Sequence, residues 1–328
     1  MTTKTFQIIS IRCPRKLRGL NIAALLIILL GSSLGFAEIR FLATADCQFE
    51  NGNQDRKQSS NETFLRMFQR LDRDPGLHGV LVAGDLTQNS RKDEFEWYLS
   101  SIASHREDVF EGLGNHDVER PSFGQRLACG LGLGSCVYPD VIAQTLDEKT
   151  RNTSLNLKQK PHYSWLWSSV QLVHLNVFPA DEPAPQFPNI SPQRSLSFLK
   201  KVLQDQVHDK TQQIVLVHHY GFDPFSKGAY GEEWWTESQR RAYWEVLAEY
   251  NVAAIITGHV HLSPLSNNWY IPWQRPEGLG GPDRIHTFVA GGGLKGAYLE
   301  FSIDEQQVEV LRYGIGDQLI DQKKLDLF

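Results

Sequence analysis

Only four cysteines occur in 328 residues, which excludes a disulfide-built scaffold. No internal repeat or low-complexity segment is present, which excludes a solenoid or an array. Excess positive charge is also missing: 33 Lys and Arg stand against 38 Asp and Glu, a net −5. The first 37 residues lack acidic side chains but hold Lys4, Arg12, Arg15, Lys16 and Arg18. Setting those five cations aside leaves 28 basic residues against 38 acidic ones, or −10. Affinity for nucleic acid comes largely from cations on phosphates, so this balance speaks against that partner.

The segment set aside has its own logic. After its basic region comes the apolar run from Ile22 to Leu30, and small residues stand at Gly35 and Ala37. Basic start, short apolar core and small-residue exit together describe a secretory signal. Leu20 to Phe36, with 17 residues including Gly and Ser, is marginal for spanning a bilayer. The expectation is an exported protein, periplasmic, secreted or lumenal, with residues 1–37 as signal peptide and 38–328 as the functional domain. Membrane contact arises only if the segment is retained as an anchor. Cys13 leaves with the signal, Cys129 and Cys136 bracket a glycine-rich loop suited to a disulfide, and Cys47 remains an inert free thiol.

The body of the chain, 41% hydrophobic and 22% charged over its whole length, alternates short β-like runs with amphipathic helices, the pattern of a layered α/β fold. Strands are expected at Ile39–Ala45, Gly79–Ala83, Val109–Leu113, Tyr163–Trp167, Val170–Val177, Gln213–Val217 and Val252–Thr257. Ile285–Ala290, Ala297–Ile303 and Gln307–Tyr313 follow with no helix between them and read as a meander closing a second sheet. Helices are expected over Glu62–Leu71, from Ser191-Pro192, and after Thr236, which opens a capping box with Gln239. Two loops, Val118 to Lys160 and Ser263 to Arg284, exceed ordinary connector length.

Five apolar strands run directly into polar tips. Ile39–Ala45 leads to Asp46 and Gln48, Gly79–Ala83 to Asp85, and Val109–Leu113 to Asn115, His116 and Asp117. Gln213–Val217 leads to His218 and His219, and Val252–Thr257 to His259 and His261. Ligands of α/β sheets sit outside the carboxyl ends of the strands, and carboxylate, amide and imidazole together there suit a cation. Asp46, Gln48, Asp85, Asn115, His218, His259 and His261 offer more donors than one ion needs, and two ions sharing Asp85 would use them. Glycines at 84, 114 and 258 are expected to let the backbone turn sharply there. His219, next after His218 on an extended segment, is expected to point elsewhere.

The order D-x-Q, G-D, G-N-H-D, H, G-H-x-H resembles the calcineurin-like metallophosphoesterase superfamily over nearly all of residues 38–304. The resemblance implies a four-layer α/β/β/α sandwich and two divalent cations, Mn, Fe, Mg or Zn, with Mn or Fe favoured. One ion would be held by Asp46, the residue at 48, Asp85 and His261, and the other by Asp85, Asn115, His218 and His259. His116 would be the catalytic residue that is not a ligand. Asp117, next in the chain, reads either as the group that orients its ring or as a helix or turn cap. The family's usual first element is D-x-H, so Gln48 is a departure. As a ligand, its carbonyl oxygen is a harder, weaker donor than imidazole and tilts the first ion towards Mn²⁺, Mg²⁺ or Ca²⁺ and away from zinc; alternatively Gln48 only hydrogen-bonds a metal-bound water.

The implied activity is hydrolysis of a small organic phosphate ester, a monoester slightly favoured. Alternatives are a phosphodiesterase acting on a lipid headgroup, cyclic nucleotide or nucleic acid, and a non-catalytic metal-binding scaffold. Trp234, Trp235, Trp269, Tyr270 and Trp273 read either as core or as a rim for the leaving group, and Arg91, Arg120, Arg275 and Arg284 either as surface charges or as a phosphate clamp.

Overall fold

A computed structural model describes residues 38–118, 131, 142, 146, 157–159, 161–222 and 234–327. The expected signal segment, the Cys129–Cys136 pair and Arg120 lie outside these residues. Among the described residues no helix is long and apolar enough to cross a membrane.

Two six-stranded sheets carry the fold. The first has the order β14-β13-β12-β1-β2-β3, built from β1 (Ile39–Thr44), β2 (Leu77–Val82), β3 (Val109–Glu111), β12 (Tyr298–Ile303), β13 (Gln307–Tyr313) and β14 (Leu319–Asp326). The second has the order β11-β8-β7-β6-β5-β4, from β4 (Leu157–Gln159), β5 (His162–Trp167), β6 (Val170–His174), β7 (Gln213–Val217), β8 (Asn251–Thr257) and β11 (Thr287–Val289). Strands β1, β2 and β3 run parallel, as do β6, β7, β8 and β11, so their carboxyl ends gather at one edge of each sheet.

Both faces of the parallel strands are covered, which is why they read as continuous apolar runs, whereas β13 and β14 at the edge of the first sheet keep a face that is not buried. One cluster joins the sheets: Phe301 of β12 meets Phe288 of β11 edge-on at 5.2 Å between ring centres, and Ala43, Leu81, Val215, Val217 and Ile256 share that layer. The alternate residues Leu42, Val80, Val82, Ile214 and Leu216 pack instead with the apolar stripes of the helices. These are α1 (Gln54–Arg73), α2 (Lys92–Ser101), α4 (Ser195–Gln206) and α5 (Glu237–Leu247); α3 is the single turn Asn115–Val118. The arrangement is the four-layer sandwich of the metallophosphoesterase fold.

Several elements differ from expectation for local reasons. Helix α1 begins at Gln54, where Asn53 Oδ1 caps the Arg56 amide at 3.1 Å; its first two turns are polar and carry no apolar stripe to read. Helix α4 starts at Ser195 rather than at Pro192, after Gln193 and Arg194 in left-handed conformations. Its cap comes from a distant side chain, since Asp181 accepts from the Ser197 amide at 2.8 Å. Helix α5 follows the expected box: Thr236 Oγ1 accepts from the Gln239 amide at 3.2 Å, and Gln239 Oε1 from the Thr236 amide at 2.8 Å.

The meander is real but belongs to the first sheet. It consists of β12, β13 and β14 laid antiparallel beside β1, whereas the expected strand Ile285–Ala290 splits. Its first half (β10, Arg284–Ile285) pairs with β9 (Trp273–Gln274) inside the long loop, and its second half is β11, parallel to β8. Arg312, almost fully buried on β13, donates to the Ser263 carbonyl at 2.7 Å and to that of Ser266, fastening the loop that follows β8.

Two buried histidines help join the layers. His174 donates through Nε2 to the Val82 carbonyl at 3.1 Å, and His162 through Nε2 to that of Gln193 at 3.0 Å. Burial lowers both to about 4, against weaker opposition from those carbonyls. Each is therefore neutral when folded but protonates near 6.5 once unfolded. The unfolded state binds more protons between those values, so stability is full above pH 6.5 and falls as pH drops towards 4. Melting temperatures recorded across that interval are expected to decline steadily; a flat profile would contradict the buried neutral assignment.

Candidate metal centre

The polar tips meet where the parallel strands end. Beyond β1 and β2 the two chains stay paired by backbone: the Asp46 amide donates to the Gly84 carbonyl at 3.0 Å and the Gln48 amide to that of Asp85 at 2.9 Å. Holding carboxylates this close bends the chain into an unusual form. Asp46, Gln48, Asp85, His259 and His261 all have left-handed backbone, with φ of 51°, 41°, 55°, 77° and 43°. Such conformations cost free energy in a residue with a side chain and cluster at functional sites.

The glycines serve two purposes. Gly84, at φ +86°, supplies a turn that a side chain resists. Gly114 does not have positive φ; it is there for room, because a Cβ would stand 2.1 Å from Asp85 Oδ1. The expectation of sharp turning thus holds for Gly84, while at Gly114 the requirement is close approach.

Asp46, Gln48 and Asp85 are fully buried. Asp46 Oδ1 accepts from the His259 amide at 2.9 Å and lies 3.5 Å from His261 Nε2. Asp85 Oδ1 accepts from the His116 amide at 3.0 Å, and its Oδ2 from Gln48 Nε2 at 3.1 Å. Asn115 Oδ1 accepts from His219 Nε2 and from His259 Nδ1, each at 3.1 Å. One ligand atom each of Asp46, Asp85 and His261 lie within 4.8 Å of one another.

The residues fit a cation. Asp46 Oδ2 and Gln48 Oε1 are buried acceptors with no hydrogen-bond partner. Burial pushes the Asp46 carboxyl well up, only partly offset by the His219 charge. Burial pushes Asp85 up too, but His219, His116 and His259 prevail and hold it below the usual carboxylate range. His219, 3.2 Å from Asp85 Oδ2, is pushed down by burial, yet the Asp85 and Asp46 charges raise it to about 9. A single imidazolium thus offsets two buried carboxylates, and divalent ions would take over that task.

The structure reverses the expected roles of the adjacent histidines. His218 is fully buried away from the cluster, its ring edge-on to Phe222, Trp235 and Tyr243 at 5.7, 6.1 and 5.6 Å. His219 is the one that faces Asp85 and Asn115. It continues the phase of Val215 and Val217, which point between the sheets, whereas His218 continues that of Ile214 and Leu216 towards the helices. The alternation was legible; its phase was not, because every neighbour in β7 except Gln213 is apolar.

His116 is half-buried at the rim, and its Nδ1 donates to the Gln88 carbonyl at 2.8 Å. A carbonyl only accepts, so Nδ1 carries the proton and Nε2 is the nitrogen left for exchange with a substrate. That contact, and not Asp117, sets the tautomer. Asp117 is corrected to a turn anchor: Oδ2 accepts from the Leu86 and Gly114 amides, both at 3.0 Å, and Oδ1 from the Thr87 amide and hydroxyl at 2.9 and 2.8 Å. Among the aromatic residues, Trp235, Trp269 and Trp273 are core. Trp234 is half-buried with its ring edge-on to His259 at 4.7 Å, and Tyr220, not anticipated from sequence, lies at the same distance. Arg275 pairs with Asp283 at 2.9 Å. Replacing Asp117 with Asn swaps an acceptor for a donor against buried N–H groups and is expected to cost about 2–3 kcal/mol of stability. Chemical denaturation checks it; a variant as stable as the parent would return Asp117 to the catalytic group.

The calcineurin-like phosphoesterase family model matches residues 39–263. No curated protein matches the sequence. Similar solved structures include a conserved uncharacterised protein from Streptococcus pneumoniae, described as a predicted phosphoesterase, at 11% identity and TM-score 0.36, covering 88% of this chain and 98% of that one. Vacuolar protein sorting 29 from Cryptosporidium parvum follows at 9% identity and TM-score 0.33, with 88% and 98% covered. The Entamoeba histolytica counterpart complexed with zinc has 10% identity and TM-score 0.30, with 88% and 99% covered. With more than half of its 328 residues matched, the chain belongs to the calcineurin-like phosphoesterase family, a family of metal-dependent phosphoesterases.

Proposed function

We propose that this chain is an exported phosphoesterase that uses two divalent cations to hydrolyse a small organic phosphate, monoesters favoured over diesters. The observation that carries the reading is one contiguous cluster: ligand atoms of Asp46, Asp85 and His261 lie together, hydrogen bonds and close contacts join Gln48, Asn115, His219 and His259 to them, and Asp46 Oδ2 and Gln48 Oε1 are buried with no partner among the described residues. Export is supported by the basic and apolar character of residues 1–37. Asp46, Gln48, Asp85 and His261 would hold one ion, and Asp85, Asn115, His219 and His259 the other, His219 standing where His218 had been expected. Bound divalent cations supply Lewis acidity, drawing charge from phosphoryl oxygens and making water a usable nucleophile near neutral pH.

The protein's own groups do the rest. The His116 amide on Asp85 Oδ1, at 3.0 Å, ties the position of the imidazole to that of the shared carboxylate. With Nδ1–H held by the Gln88 carbonyl, His116 enters the step as the imidazolium, gives its Nε2 proton to the departing alkoxide, is left as the Nδ1–H tautomer, and regains a proton on Nε2 from solvent. The Asn115 side chain, through its carbonyl oxygen, keeps the His219 and His259 rings in register with each other.

Mature protein reloaded with single metals and offered a panel of phosphate mono- and diesters is expected to hydrolyse monoesters best. Activity should vanish with a chelator and fall by about 100-fold or more in His116→Ala, a typical loss for an acid–base residue, with folding retained. Full activity in His116→Ala would remove it from the mechanism. Gln48→His should tighten the first ion and shift preference towards zinc, since imidazole is the softer donor. Titration of apo-protein with Mn²⁺ and Zn²⁺ reads this directly, and an unchanged ratio of affinities would count against Gln48 as a ligand.

A further inference from the structure

Arg56, in the first turn of α1, sits at the rim of the metal centre with half of its guanidinium engaged. Nη1 donates to Gln88 Oε1 at 2.7 Å and lies 3.1 Å from Glu50 Oε2. Nε and Nη2, the two donors of the other edge, make no hydrogen bond among the described residues, and the side chain is 37% exposed. That free edge is a planar fork, the geometry that grips a carboxylate or phosphate through two parallel bonds.

The fork is tied to the catalytic imidazole. Gln88 holds Arg56 through its side-chain oxygen and His116 Nδ1 through its backbone oxygen, at 2.7 and 2.8 Å. One residue therefore sets the spacing between the guanidinium and the proton donor. Arg56 also stands near His261, which is lowered to about 4 chiefly by burial, with the Arg56 charge acting in the same direction. His116 serves the leaving group on the reading above, and Arg56 is anchored to Gln88, the same residue that holds the His116 ring. The domain as a whole is acidic, 28 cations against 38 anions beyond residue 37, which makes an open cationic fork at this rim selective rather than a general attraction.

We infer that the Nε–Nη2 edge of Arg56 receives a second anionic group on the leaving-group portion of the substrate, so that the preferred esters carry a carboxylate or a further phosphate besides the one that is cleaved. This rests on the phosphoesterase reading above and narrows it. Lys295, an exposed cation whose side chain crosses Gly292 beside His261, offers a point charge at the same rim and no fork.

The test uses the mature, Mn²⁺-loaded chain and three esters on a three-carbon skeleton: glycerol 3-phosphate, 3-phosphoglycerate and glycerol 1,3-bisphosphate. Hydrolysis and calorimetric binding are measured for the parent, Arg56→Gln, Arg56→Lys and Lys295→Gln. The parent should prefer one or both two-anion esters, and which of them identifies carboxylate or phosphate as the recognised group. Arg56→Gln should reduce that preference by about tenfold in KM and Kd, Arg56→Lys should recover part of it, and Lys295→Gln should shift all three esters alike. Equal preference in the parent and Arg56→Gln overturns the proposal while leaving the phosphoesterase reading standing. Loss of preference in Lys295→Gln to the same extent also overturns it, since rim charge alone would then suffice. If none of the three is hydrolysed but binding still discriminates through Arg56, the phosphoesterase reading fails and the anion site remains.

Discussion

Two carboxylates, Asp46 and Asp85, are buried together at the point where two parallel strands stop. That placement is the expensive act in this structure, because an ion taken out of water without compensation costs several kcal/mol. Most of what surrounds them reads as compensation. The left-handed backbone at Asp46 and Asp85 brings the strand ends close enough for the amides of Asp46 and Gln48 to bond across to Gly84 and Asp85. Amides of His116 and His259 point at the carboxylate oxygens, and the His219 imidazole carries a proton it would otherwise lose on burial. Even so Asp46 Oδ2 is left without a donor. A fold built only to be stable would replace such a cluster with apolar residues, so its retention is the strongest physical sign of a site meant for positive ions.

The same constraint explains why the glycines cannot be read as a set. At Gly84 the backbone itself needs the left-handed region, whereas at Gly114 the Asp85 carboxylate occupies the space of a side chain. Both look alike in sequence, each a Gly before a polar residue at a strand tip. The distinction between conformational freedom and close approach appears only when the second strand is in place.

What sequence reveals here follows from what is local. Strand positions in the parallel core were legible because burial on both faces makes them uniformly apolar, and the donor list was legible because each donor directly follows such a run. That uniformity also hides side-chain phase, which is why His218 and His219 exchanged roles once Val215 and Val217 were seen to face between the sheets. The role of Asp117 was not settled by sequence because its four donors come from Leu86, Thr87 and Gly114, and three of the four lie about thirty positions away. Helix α4 was placed early because its cap, Asp181, lies outside any local signature. The antiparallel meander was recognised by the missing helices between its strands, but its sheet depends on β12 pairing with β1, a contact spanning most of the chain.

The C-terminal meander lies wholly beyond the matched family region, yet it bears on the centre. Arg312 of β13 holds the carbonyls of Ser263 and Ser266, Asp321 of β14 accepts from the Trp269 indole at 2.8 Å, and the Asp326 carbonyl lies 3.3 Å from His286 Nε2. These contacts brace the segment immediately after His261, the most exposed of the donors, whose own backbone is left-handed. Strain of that kind persists only where surroundings over-determine it. On this argument the last strands act at a distance as the counterweight to His261: the loop cannot relax towards ordinary backbone without breaking the bonds of a buried guanidinium, and the geometry of the candidate centre is held by residues that lie outside it.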